Sequence, residues 1–226
     1  MSDLTATEKL LMELFDVGAV SFDGPFKFKI HEKYPDFPLS PNKIILRTPE
    51  NGGNLTPELV GAIAAEFKKK AAIASLMFDL VVGLPKAGEP FAEALARCSK
   101  KPLLKLAKET LPNSQRHIGR IISGEYQPGQ KVLVLDDVVS EGETKIEGVS
   151  QIVDAGLRVV AIMVAFDREE GGSEYLQELG HRFFCIYEWP WVLKFYYRAG
   201  RISKDMLDES LTYSQLAKKF FFQNLA

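Results

Sequence analysis

The run from Lys131 to Lys145, KVLVLDDVVSEGETK, limits the fold more than any other stretch of the chain. The apolar residues Val132 to Leu135 end at two adjacent acids, Asp136 and Asp137. Val138, Val139 and a loop, Ser140-Glu141-Gly142-Glu143-Thr144, then lead into a helical stretch. An apolar, β-branched strand of this kind belongs inside a parallel α/β sheet, where ligands bind at the carboxyl ends of the strands. A Gly-containing turn there points backbone N–H groups outward, and the next helix N-terminus adds positive potential. Ser140 and Thr144 add hydroxyl donors. The result is a phosphate cradle with a carboxylate pair beside it. Carboxylates do not hold phosphate, so the pair implies a ligand with hydroxyls, a metal, or both. An ordinary strand–turn–helix with acids at an exposed strand end is the competing reading. The loop matches neither G-x-x-x-x-G-K-[ST] nor G-x-G-x-x-G.

The rest of the chain fits the same class. Residues 78–83, 102–106, 132–135, 159–166 and 183–187 read as strands. Helical patterns at 57–75, 89–97, 145–155 and 173–179 separate them. This alternation predicts an α/β fold with a mainly parallel sheet flanked by helices. Before it, Thr5 or Thr7 caps a first helix that Gly18 ends. Phe26 to Ile30 alternates like a half-buried strand, with Lys43 to Arg47 as its partner and a proline-rich loop between them. The tail from Phe195 to Phe222 is aromatic-rich and partly helical, and Phe220-Phe221-Phe222 suggests docking onto the domain or a partner subunit.

With 226 residues, 46% hydrophobic, the chain suits one domain over 1–226. The formal net charge of -2 gives no bulk attraction to nucleic acid or to a membrane surface. Cys98 and Cys185 form no disulfide framework and read as reduced packing residues. The N-terminus lacks the pattern of a signal peptide, and no window approaches the ~20 apolar residues of a membrane span. These features predict a cytoplasmic location.

Residues 132–144 resemble the phosphoribosyl pyrophosphate (PRPP) motif of type I phosphoribosyltransferases: apolar strand, Asp-Asp, two apolar residues, Ser/Thr-x-Gly-x-Ser/Thr. The resemblance implies that Ser140, Gly142 and Thr144 hold the ribose 5′-phosphate, with Val139, Glu141 and Glu143 also among the substrate-binding residues. It also implies that Asp136 and Asp137 face the ribose hydroxyls. Glu141 and Glu143 stand where small or hydroxyl residues are usual. Val164-Ala-Phe-Asp-Arg-Glu-Glu-Gly-Gly172 is similar to a V-D-R-x-x-G-G segment of the orotate phosphoribosyltransferases, which gives Arg168 the substrate carboxylate and ring. A planar guanidinium suits that task. Gly24 to Lys29 resembles G-x-F-x-L-K, so Lys29 reaches substrate and pyrophosphate. Ser40-Pro41 to Arg47 resembles the stretch that follows, with Asn42, Lys43 and Ile44 in place of its aromatic residues. Gly83 to Pro90 resembles the pyrophosphate loop, which assigns Lys86, Ala87 and Gly88 to the substrate. Lys105, Lys108 and His117-Ile-Gly119 resemble the catalytic loop, here with an insertion over 109–117.

Taken together, the resemblance implies a type I phosphoribosyltransferase fold. Residues 1–50 form an N-terminal hood, 51–190 a PRPP-binding core and 191–226 a C-terminal helical tail. It implies an orotate phosphoribosyltransferase of pyrimidine biosynthesis, with Lys105, Lys108, His117, Asp136 and Asp137 as catalytic residues. Mg²⁺ would arrive with PRPP, near Asp136 and Asp137. The implied assembly is a homodimer whose 105–119 loop reaches the neighbouring site. Transfer to another nucleobase and non-catalytic PRPP binding are the alternatives.

Overall fold

The computed structural model describes residues 4–110 and 116–225. The chain opens with helix α1, Ala6–Asp16, whose Thr5 cap and Glu8 form a reciprocal capping box. Strand β1, Val20–Ser21, follows, then the short helix α2, Ile30–Lys33, and strand β2, Lys43–Ile44. These segments make the hood. In it β2 pairs with β1, and residues 26–30 do not form the expected strand. Phe26 makes one isolated bridge with Ser40, and Lys29 is already the N-cap of α2. Buried His31 explains the turn. Its Nδ1 accepts from the Phe28 N–H at 2.8 Å, and Nε2 meets the Pro38 carbonyl at 3.0 Å. Backbone groups satisfied by a side chain need no neighbouring strand.

Helix α3, Pro57–Ile73, begins on its Thr56 cap and leads into strand β3, Leu80–Gly83. Next come helix α4, Glu89–Ser99, and strands β4, Leu103–Thr110, and β5, Arg116–Ser123. Strand β6, Lys131–Val139, is followed by helix α5, Glu143–Asp154, and strand β7, Arg158–Asp167. Helix α6, Gly172–Glu178, strand β8, Phe183–Glu188, and helices α7, Trp189–Arg198, and α8, Lys204–Gln223, complete the chain. The main sheet has the order β5-β4-β3-β6-β7-β8 and is parallel except for β5.

Alternation along the central strands divides the core. Val81, Leu133, Leu135, Met163 and Ala165 face α1, α3, α4 and α7. Leu80, Val82, Val132, Val134, Ile162 and Val164 face α5 and α6 on the other side. Period-two side chains on a strand buried on both faces produce this division.

Two expectations about strand extent change. Strand β6 does not stop at Leu135, because β7 pairs with it from Lys131 out to Val139. Asp136 and Asp137 therefore sit inside a ladder rather than beyond it. The described ends of the segment expected as an inserted loop over 109–117 are strand instead, since Glu109 pairs with His117 and Thr110 with Arg116. Ile118 is buried in the α5-side core, which anchors β5. The remaining inserted positions, 111–115, lie outside the described residues. Cys98 is exposed rather than packed, whereas Cys185 is half-buried; both are free thiols. Among the described residues no helix is long and apolar enough to cross a membrane.

Candidate active site

The end of β6 delivers the acid pair and then turns sharply into α5. Gly142 takes φ +88°, a left-handed value that side chains resist. Residues 168–172 clasp this turn: the Arg168 N–H donates to the Val139 carbonyl at 3.1 Å and the Gly172 N–H to the Ser140 carbonyl at 2.7 Å. A Cβ on Gly172 would lie 2.4 Å from that Ser140 oxygen, so the clasp requires glycine. The Lys145 and Ile146 N–H groups of α5 bond the Gly142 carbonyl, whereas those of Glu143 and Thr144 have no carbonyl one turn earlier to bond and are directed at the turn.

Lys145 changes the chemistry of the acid pair. Its Nζ lies 2.8 Å from Asp136 Oδ2 and donates to the Val138 carbonyl at 2.5 Å. Both side chains of the pair are buried. Asp136 Oδ1 also accepts the Asp137 N–H at 2.9 Å. Burial pushes the Asp137 carboxyl up to about 7, reinforced by the Asp136 charge and opposed by Lys145. Sequence reading did not single out Lys145. A signal existed: a lysine in the first turn of a helix opposes the macrodipole, so a specific partner holds it there.

The two glutamates of the cradle behave differently. Exposed Glu143 accepts Lys29 Nζ at 3.0 Å. Burial works against the Lys29 charge, but Glu143 and the nearby Glu147 and Glu141 outweigh it and raise the amine. Glu141 is half-buried, and burial together with Glu143 raises its carboxyl. Arg168 is buried. Its Nε donates to Glu170 at 2.7 Å, a terminal nitrogen donates to Ser40 Oγ at 3.1 Å, and its guanidinium lies over the Phe28 ring. Asp137, Ser140, Glu141, Gly142, Glu143, Thr144, Lys29 and Arg168 all line one cavity of about 310 Å³.

The loop between β3 and α4 abuts the same strand end. The Leu84 N–H donates to the Leu135 carbonyl at 2.9 Å. A Cβ on Gly88 would stand 2.3 Å from that oxygen, and one on Gly83 would stand 2.5 Å from the Gly88 carbonyl. Glu89 begins α4 beside this loop. Burial raises its carboxyl, while Lys105, Lys108 and Lys86 pull it down. The three lysines thus gather at one place, with Lys86 exposed and Ala87 half-buried. Lys105 also meets Glu93 at 2.7 Å. His117 lies elsewhere: its Nδ1 is 3.8 Å from Glu147 on α5. Lys86, Lys105, Lys108 and His117 do not line the 310 Å³ cavity.

Residues 55–198 match the phosphoribosyl transferase domain family. The chain belongs to this family. An orotate phosphoribosyltransferase from Pyrococcus horikoshii is 34% identical over 149 residues, which is 66% of this chain and 76% of that protein. A structure of Leishmania donovani UMP synthase superposes with a TM-score of 0.76 at 28% identity, over 94% of this chain and 43% of that one. An orotate phosphoribosyltransferase from Aeropyrum pernix shares the fold, with a TM-score of 0.67 at 21% identity over 86% of this chain and 99% of that one. The phosphoribosyltransferase match leaves the hood and α8 outside its span.

Proposed function

We propose that this phosphoribosyltransferase converts orotate and PRPP to orotidine 5′-monophosphate and pyrophosphate. The observation that carries this reading is the single cavity joining the cradle at Ser140–Thr144, the acid of Asp137 and the buried Arg168. The cradle holds the 5′-phosphate through backbone N–H groups and the hydroxyls of Ser140 and Thr144. Asp137 accepts from the ribose hydroxyls and opposes the positive charge that develops on the sugar, while Asp136, buried against Lys145 and bonded to the Asp137 N–H, holds it in place. Arg168, fixed by Glu170 and Ser40, binds the orotate carboxylate and aligns the ring nitrogen with the ribose carbon. Lys86, Lys105 and Lys108, with the backbone of Ala87 and Gly88, stabilise the departing pyrophosphate. Lys29 reaches the same anion after leaving Glu143. His117 is the weakest member of the catalytic set, because its partner here is Glu147.

Mg²⁺ fits as a metal carried mainly by the substrate. Among the described residues no group of three or more His, Cys, Asp or Glu side chains gathers as a metal site, and Lys145 already occupies Asp136. A cation that keeps its waters and substrate oxygens needs only one or two protein carboxylates, and Asp137 qualifies. When bound, it neutralises charge on the pyrophosphate. A cytoplasmic homodimer is part of the proposal, with the β4–β5 hairpin turned toward the neighbouring site.

The test is orotate consumption with PRPP and Mg²⁺. No turnover by folded protein rejects the reaction. The engagement of Lys29 by Glu143 and of Asp136 by Lys145 favours one rival, a protein that binds PRPP without turning it over. PRPP binding by calorimetry, with no turnover on any base, would select it.

A further inference from the structure

Helix α8 lies beyond the family-matched span, yet it reaches the active-site cavity. Its buried residues, Leu207, Ser210, Tyr213, Ser214 and Ala217, form one stripe at helical spacing. Leu207 enters the main core. Tyr213 and Ala217 instead join Phe37 of the hood in a separate cluster. The Phe37 and Tyr213 rings meet edge-on at 5.9 Å. Both Tyr213 and Ala217 also line the 310 Å³ cavity, beside Phe28, Ile44 and Arg168.

The Tyr213 phenol sits among Ser40, Arg168 and Glu170, and burial keeps it protonated. Ser40 Oγ donates to the Asn42 carbonyl at 2.8 Å and accepts from Arg168 at 3.1 Å. Ser40, Arg168 and Glu170 form a hydrogen-bonded chain from the hood to the β7–α6 turn, and Tyr213 of α8 lines the same cavity as Arg168 and Glu170. Most of the cavity's apolar lining comes from the hood and α8, whereas the cradle supplies polar groups. A planar ring bearing a carboxylate matches that division: the guanidinium takes the charge and the aromatic surface takes the ring.

We propose that α8 supplies the base-selecting wall of the active site, with Tyr213 packed against the ring of a carboxylate-bearing base held by Arg168 and Ala217 setting the room beside it. This wall rests on the orotate reading above and adds a specificity determinant to it. Tyr213 acts on the base and not on the ribosyl phosphate.

The test compares wild type with Tyr213→Ala, Tyr213→Phe and Ala217→Val. Thermal unfolding checks the fold, and KM for orotate, kcat and PRPP affinity by calorimetry are read on each. Tyr213→Ala should raise the orotate KM roughly tenfold, the scale of one aromatic contact. PRPP affinity should stay within about twofold. Tyr213→Phe keeps the ring and should stay near wild type, while Ala217→Val should raise the orotate KM by narrowing the wall. Should Tyr213→Ala fail to fold, the other two variants decide. Orotate titrated into the same proteins by calorimetry reads the wall even without turnover. An orotate affinity untouched by Tyr213→Ala or Ala217→Val, or a PRPP affinity that falls in parallel, would overturn the assignment. If wild type neither binds nor converts orotate, the orotate reading falls with it; if wild type is active and the variants match it, only the wall falls.

Discussion

Asp136 and Lys145 form a buried ion pair, as Arg168 and Glu170 do. Removing one partner of a buried ion pair leaves an uncompensated charge, typically a loss of about 3–5 kcal/mol. Lys145→Met should therefore lower the melting temperature sharply, and adding Asp136→Asn should recover part of the loss; thermal unfolding of both variants checks this. Asp137 behaves differently, because its carboxyl is pushed up to about 7 from an ordinary 3.8. A raised acid stabilises the fold fully below its unfolded value and loses that contribution as pH rises from about 4 through about 7. Asp137→Asn should accordingly raise the melting temperature near pH 8 and leave it unchanged near pH 4. In catalysis the charged form is the useful one, so kcat/KM for PRPP should decline below about pH 7; a flat profile between pH 6 and 8 would exclude the role. Glu143 sits beside the cradle and holds Lys29. Its pair with Lys29 is mostly exposed and adds little stability. Glu143→Thr should then strengthen PRPP binding severalfold, since a like charge leaves the phosphate and a lysine is released, and titration calorimetry measures it.

At the scale of elements, β6 and the turn after it were legible because an apolar run, an acid pair and a glycine lie next to one another in sequence. The β4–β5 hairpin was not. Residues 102–106 read as a strand, but register shifts at Lys105/Leu106 and Leu106/Lys108 break the period-two pattern that would have carried it on to Thr110 and paired it with β5. The hood misled for the opposite reason. Phe26 to Ile30 alternates properly, but His31 takes up the backbone groups a neighbouring strand would need. Lys145 stayed hidden because its partners, Asp136 and Val138, meet it only after the turn folds back. The β3–α4 loop was readable as a motif, and the structure supplies its reason: Gly88 presses on the Leu135 carbonyl. Gly88→Ala should push this loop off β6. Turnover should collapse and inhibition by pyrophosphate should weaken, while far-ultraviolet circular dichroism stays native.

For the whole molecule, the sheet order β5-β4-β3-β6-β7-β8 puts β6 near the centre, where both core faces hold it. The hood and α8 close over its carboxyl end and meet through Phe37, Tyr213 and Phe220. The aromatic tail could be read as a docking segment, and Phe220 does pack on Tyr34 and Phe37; the surface that receives it could not, because the closure joins segments from opposite ends of the chain with no local pattern linking them. The proposed homodimer belongs to this scale as well: sedimentation should give twice the chain mass, and a strictly monomeric active protein would reject the exchanged hairpin. The Arg168–Ser40 bond spans 128 positions, and Tyr213 lies farther still along the chain. During synthesis the segments that build the phosphate cradle thus leave the ribosome before the helix that walls the base, and the cavity is complete only once α8 has been made.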